Sequence, residues 1–239
     1  MKKKIFAVIL TGGVGDRVAL TSGLKIPKQL LPILGKPLFI HCIEIYRRLE
    51  KVDRIYLVIN DKFKRLYVKL LFKYGLGGKI ELVRGGATRL ASIMNAVDAI
   101  KETNGVVILH NGSSPATRAG LIDRCIGVAS KKGAVTAYVP AFFTTFVSGK
   151  GQIRSTLKRS GLGYTCDPQV YDIGILREAL RLARRRRLND ASTVELAKAL
   201  GKRVYLVRSG DDNIKITTEP DLKAAEFILK KRKGRSSNA

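Results

Sequence analysis

Six near-continuous apolar runs rich in β-branched residues recur along the chain: IFAVIL (5–10), IYLVI (55–59), IELV (80–83), VVIL (106–109), AVTAYV (134–139) and VYLV (204–207). Their length and composition suit buried strands. Helical periods lie between them. Leu38, Cys42, Ile45 and Leu49 are spaced 4, 3 and 4, and Phe63, Leu66, Leu70 and Tyr74 are spaced 3, 4 and 4. A further helix is expected from about Thr88 to Ile100. A last one follows Thr218, with Pro220 in its first turn and Asp221 closing a capping pattern. Strands apolar on both faces and separated by helices dictate an α/β fold, a mostly parallel sheet with helices on both faces. Ligands of such sheets sit at the carboxyl ends of the strands. LTGGVGDR, LHNGSSP and SGDDNIK all fall there.

One segment breaks the alternation. FFTTFVSGKGQIRSTLKRSGLGYT (142–165) alternates loosely and carries turn signals at Ser148-Gly149 and Gly161, which predicts a β-hairpin arm. With 239 residues and 45% hydrophobic content the chain can fill one core. The domain is expected over 1–231, followed by a basic disordered tail at 232–239. No apolar run approaches the roughly 20 residues of a membrane span, and IFAVIL is too short for a signal-peptide core. A cytoplasmic protein that avoids the membrane is expected. Cys42, Cys125 and Cys166 are isolated, and the two histidines are His41 and His110. A disulfide framework and a His-rich metal centre are thereby excluded.

Charge narrows the ligands. Lys and Arg number 45 against 19 Asp and Glu, a formal net charge of +26. Such a field attracts phosphorylated small molecules, nucleic acid or anionic lipid. The runs RLARRRRL (181–188) and KKRKGRSS (230–237) read first as a solvated helix face and a frayed tail, and second as a salt-sensitive polyanion contact. A sharper signal follows the first strand. Gly12, Gly13 and Gly15 let the backbone turn tightly and present successive N–H groups to an anion. The turn is neither a Walker A loop nor a dinucleotide GxGxxG. Arg17 and Lys28 add two cations near it, which suits a triphosphate whose charge grows as pyrophosphate departs. On the residues alone, the same two side chains are equally read as surface cations of a basic protein.

The order GGVGDR (12–17), PKQLLPILGKPLFIHCI (27–43), GGATRLAS (85–92), LHNGSSP (109–115), DPQVY (167–171), NDAS (189–192) and DNIKIT (212–217) resembles the 2-C-methyl-D-erythritol 4-phosphate cytidylyltransferase family, whose relatives include ribitol 5-phosphate cytidylyltransferases. The resemblance spans about 5–229. It implies a Rossmann-like nucleotidyltransferase with a protruding β-arm, the segment 142–165, that exchanges contacts in a homodimer. It also implies Mg²⁺-dependent transfer of CMP from CTP to a sugar-alcohol phosphate, with release of pyrophosphate. The leading acceptor is 2-C-methyl-D-erythritol 4-phosphate, for isoprenoid synthesis; ribitol 5-phosphate, for surface glycans, is next. Position by position, the resemblance makes Arg17, Lys28 and Lys215 the catalytic cations. It places Thr11, Gly12, Gly13, Gly15, Gly86, Arg89 and Ser92 at the nucleotide. Arg159 and Asp167 fall at the acceptor, Arg159 reaching from the partner subunit, and Asn111 and Asp212 at the metal.

The chain departs from the family pattern at four places. Asn111 stands where the family has a metal-binding aspartate, Ser114 where it has an arginine and Asp167 where it commonly has threonine. The ten residues at 18–27 make a longer loop, with Lys25 as an extra cation. A neutral Asn111 is expected to weaken Mg²⁺ binding unless Asp211, Asp212 or the CTP phosphates compensate. An ionised Asp167 is expected to repel an acceptor phosphate. Two rival readings follow. A catalytically weakened relative would bind nucleotide without turnover. A nucleic-acid-binding protein would use the basic surface, but it gives PKQ and DNIKIT no task, and the chain has no Trp and only 7% aromatics for base stacking.

Overall fold

The computed structural model describes residues 3–13 and 27–236. The expected phosphate-loop residues Gly15 and Arg17, and all of the 18–27 loop except Pro27, lie outside the described residues. The chain begins with β1 (Lys4–Leu10), a 3-10 turn (Lys28–Leu30), the ribbon strands β2 (Pro32–Ile33) and β3 (Lys36–Pro37), and α1 (Leu38–Arg47). Then come β4 (Arg54–Ile59), α2 (Lys64–Lys73), β5 (Ile80–Arg84), α3 (Arg89–Ala99) and β6 (Gly105–Asn111). The second half contains α4 (Ala119–Lys132), β7 (Ala134–Pro140), β8 (Thr145–Gly149), β9 (Gln152–Leu157) and β10 (Gly163–Asp172). It ends with α5 (Ile173–Arg185), α6 (Thr193–Ala199), β11 (Tyr205–Arg208) and α7 (Glu219–Ser236).

Seven strands form the central sheet in the order β11-β7-β10-β6-β1-β4-β5. All neighbours are parallel except those of β10, which runs antiparallel to both β6 and β7. The period of two along each strand divides the core. Ala7, Ile9, Leu57, Ile59 and Ile108 face α1, α2 and α4 on one side. Phe6, Val8, Val58, Val107 and Leu109 face α3, α5 and α6 on the other. Helices thus cover both faces, which is why the strands carry so few polar residues. A small third cluster, Ile33, Leu38, Ile216 and Ala225, seats α7 against the β2–β3 ribbon.

Three features differ from the sequence reading. Strand β10 was not expected. Its apolar pattern is interrupted by Asp167 and Pro168, which sit in a bulge where the pairing with β7 shifts between Cys166 and Gln169. Proline has no N–H to give a ladder, so the strand kinks there instead of ending. Helices α4 and α6 were also unassigned, and α5 was read only through its arginine run, whose Arg181, Arg184 and Arg185 lie on a solvated helix face as expected. Finally, α7 continues to Ser236, past the expected domain end at 231. Arg232 accounts for this. Its guanidinium donates to the Ala116 carbonyl at 2.6 Å and to Asp212 Oδ2 at 2.7 Å, tying the last turns to the body. The arm is present as expected: β8 and β9 pair as a separate two-stranded sheet. Among the described residues, no helix is long and apolar enough to cross a membrane.

Candidate active site

The parallel register of β1 with β6 runs to Leu10 opposite Asn111. The loops leaving these strands therefore start side by side at the carboxyl edge of the sheet. Between them and the start of α3 lies a cleft of about 430 Å³. Gly12, Gly13, Lys28, Gln29, Gly86, Arg89, Ser92, Asn111 and Lys215 line it.

The floor is built by close backbone approach. A Cβ at Gly86 would come within 2.5 Å of the Ala91 side chain, so only glycine lets this loop lie on α3. Ser92 Oγ accepts the Gly86 N–H at 3.0 Å and fixes the loop. The N-cap of α3 is Thr88, whose hydroxyl accepts the Ala91 N–H at 3.1 Å. Ser92 is thus a brace for the loop rather than the cap. Thr11 is also a brace. Its N–H and hydroxyl both donate to the Val58 carbonyl, at 2.9 and 2.5 Å, and its own carbonyl accepts the Tyr67 hydroxyl. Thr11 is fully buried and holds Gly12 in place from beneath.

Cations converge on the cleft from separate parts of the chain. The Lys28 ammonium donates to the Ile216 carbonyl at 3.0 Å, which aims it along the segment that carries Lys215. That segment is pinned to the β6 loop by Ile216 N–H donating to the Ser113 carbonyl at 2.8 Å. Arg89 reaches Gln169 Oε1 of β10 at 3.5 Å. The cleft contains no carboxylate among its described lining residues. It is suited to a polyanion.

The cleft wall also uses residues that the sequence reading passed over. Gln29 is buried, and its Oε1 has no hydrogen-bond partner among the described residues. It was legible as the third letter of PKQ. Ser113 and Thr88 also line the cleft.

Three expected site residues, Asp212, Asp167 and Arg159, are not among the residues that line this cleft. Asp212 lines a different and larger cavity of about 780 Å³. Its Oδ2 is held by Arg118 at 2.5 Å and Arg232 at 2.7 Å. Burial alone would raise its carboxyl, but these two guanidinium groups outweigh that and hold it below the usual carboxylate range. Asp212 thus lines this larger cavity, while Asn111 lines the cleft. Asp167 is turned into the body of the protein. It is 4% exposed, and its carboxylate accepts from the Asn111 N–H at 3.2 Å, from Asn111 Nδ2 at 2.9 Å to each oxygen, and from Ser114 Oγ at 2.5 Å. Its carboxylate is taken up by donors at the end of β6 and in the loop that follows it. Arg159 lies near the arm, donating to the Phe142 carbonyl at 3.3 Å, away from this chain's own cleft.

Behind the wall, His110 is fully buried between Tyr46 OH at 2.7 Å and the Ser114 carbonyl at 3.1 Å. Burial pushes its pKa down, with Asp167 acting in the opposite sense. It is held as a neutral ring that supports the loop. The described residues do not make a divalent-cation site by themselves. They contain no group of three His, Cys, Asp or Glu side chains that could hold one, and Asn111 offers the cleft only a neutral amide oxygen. Mg²⁺ favours one or two carboxylates together with substrate phosphates.

A family model described as 2-C-methyl-D-erythritol 4-phosphate cytidylyltransferase (IspD) matches residues 5–231. A protein of that name from Haemophilus influenzae is 35% identical over 237 residues, covering 98% of this chain and 100% of the relative. One from Shouchella clausii is 30% identical over 226 residues, covering 95% and 96%. Among solved structures, 4-diphosphocytidyl-2C-methyl-D-erythritol synthase from Anaerococcus prevotii superposes with a TM-score of 0.82 at 22% identity, covering 95% of this chain and 99% of that one. The Francisella tularensis 2-C-methyl-D-erythritol 4-phosphate cytidylyltransferase gives a TM-score of 0.80 at 23% identity, covering 94% and 99%. These two structures speak for the fold.

Proposed function

The chain belongs to the 2-C-methyl-D-erythritol 4-phosphate cytidylyltransferase family, and from that premise we propose how its cleft carries out the reaction. The protein is a cytidylyltransferase of isoprenoid synthesis: it transfers CMP from CTP to 2-C-methyl-D-erythritol 4-phosphate and releases pyrophosphate. The observation that carries the residue assignment is a cleft with no carboxylate among its described lining residues, where Lys28, Arg89 and Lys215 meet a glycine floor.

An oxygen of the acceptor phosphate attacks the α-phosphorus of CTP. A new oxygen–phosphorus bond forms, and the bond to the bridging oxygen of pyrophosphate breaks. Negative charge grows on the leaving group, so fixed cations lower the barrier more than they tighten ground-state binding. Lys28 is the leading such cation, because its ammonium is oriented by the Ile216 carbonyl. Lys215 enters from the same segment. The Gly12 and Gly86 backbone and the braces Thr11 and Ser92 shape the cytosine end. Mg²⁺ supplies charge neutralisation when it arrives bound to the triphosphate. No step here is routed through it.

The arm supports a homodimer. Phe142, Phe143, Phe146 and Ile153 are at least half exposed there, and a second copy would cover them. Arg159 would then serve the partner's acceptor phosphate. The buried thiols Cys42 and Cys125 are free and suit a reducing cytoplasm. The test is product identity. After incubation of the protein with CTP, Mg²⁺ and 2-C-methyl-D-erythritol 4-phosphate, ³¹P spectra should show the paired doublets of a CDP-alcohol diphosphate beside pyrophosphate. CMP or CDP as the only nucleotide product would refute the assignment.

A further inference from the structure

Asn111 and Asp167 lie on neighbouring antiparallel strands and act as one unit. The Asn111 Nδ2 sits 2.9 Å from each Asp167 oxygen. The reverse orientation would point the amide oxygen at a buried carboxylate, so only this one is satisfied. The amide oxygen consequently turns away from Asp167. Asn111 is partly exposed and lines the cleft, so that oxygen is offered there, polarised by the carboxylate behind it.

The unit is braced from two sides. Ser114 donates to Asp167 Oδ2. Asn213 Nδ2 donates to the Asp167 carbonyl at 2.6 Å, and Asn213 Oδ1 accepts from Thr117 at 2.7 Å. Asn213 stands two residues before Lys215, so the same network fixes the segment bearing that cation. Triphosphate oxygens are acceptors, and an amide oxygen facing them repels unless an electron-poor group stands between. An aquated divalent cation carried by the triphosphate is such a group.

We propose that Asp167 is a positioning residue of the transfer reaction, acting through Asn111, and that by keeping the carboxylate behind an amide the site takes a divalent cation only together with its nucleotide. This rests on the cytidylyltransferase reading. It deepens that reading by stating where the charge of the site is kept.

The experiment compares the native protein with Asp167→Asn, Asn111→Asp and the exchanged double variant Asn111→Asp/Asp167→Asn. Three quantities are measured: pyrophosphate release, CTP binding by calorimetry, and Mn²⁺ binding to the nucleotide-free protein by electron paramagnetic resonance. Each single variant should lose about tenfold or more in kcat. Asn111→Asp should suffer most, because it sets two carboxylates against each other. The double variant should recover most of the loss and bind Mn²⁺ without nucleotide at least tenfold more tightly than the native protein. Additive losses in the double variant, or native kinetics in Asp167→Asn, would overturn the proposal, as would tight Mn²⁺ binding by the native protein alone. If Asn111→Asp fails to fold, Asp167→Asn and the double variant still decide the matter. A native protein that binds CTP but turns over no acceptor would refute the reaction. Additive loss of CTP binding across the four proteins would then separately refute the pairing.

Discussion

The transfer depends on where single charges stand. Lys28→Ala should lower kcat by about 10²–10³, the effect of removing one preorganised charge-stabilising group, while KM for CTP changes much less. Steady-state kinetics at saturating acceptor would check this. Ser92→Ala tests the floor of the cleft. It strips the Gly86 N–H of its acceptor, at a cost of about 1–2 kcal/mol, readable in urea unfolding and as a raised KM for CTP. Lys28, Lys215 and the glycine turns were legible because motif order and strand ends place them without tertiary knowledge. Asp167 was not. Its partners Asn111 and Ser114 lie more than fifty residues upstream, and only the antiparallel pairing of β10 with β6 shows that its charge is spent there. The ion pairs of Asp212 were hidden for the same reason, since Arg118 and Arg232 come from distant elements.

Elements carry these side chains by register. The β1–β6 pairing puts Leu10 beside Asn111, so that the loops after both strands open into the same cleft, and the Ile216–Ser113 bond brings in the Lys215 segment. Strands β1, β4, β5, β6, β7 and β11 were readable from their apolar runs. Strand β10 was hidden by the Asp-Pro bulge, and the end of α7 by its basic composition. Asp212 joins α7 to the start of α4, and Asp212→Asn should cost about 1 kcal/mol at neutral pH, with Arg118 discounted for its exposure. The sign follows from its lowered carboxyl. The contribution is complete above the unfolded value, near 3.9, and is lost as pH falls through the lower folded value. Urea midpoints of native and variant protein should therefore differ at pH 6–7 and converge under strong acid.

The molecule as a whole has a basic surface and an apolar arm. The formal charge of +26 concentrates anionic substrates near the cleft, an effect that salt should weaken through KM more than through kcat. The exposed phenylalanines of the arm should close against a second copy. Phe143→Asp should shift sedimentation from dimer toward monomer and, if Arg159 serves the partner's site, raise KM for the acceptor. The central claim is the reaction itself. Its most direct test is pyrophosphate release from the native protein with Mg²⁺, each of the four nucleoside triphosphates in turn, and 2-C-methyl-D-erythritol 4-phosphate present or absent. The account predicts release only with CTP and acceptor together. Release from another nucleotide, release without acceptor, or none from CTP with acceptor would contradict it.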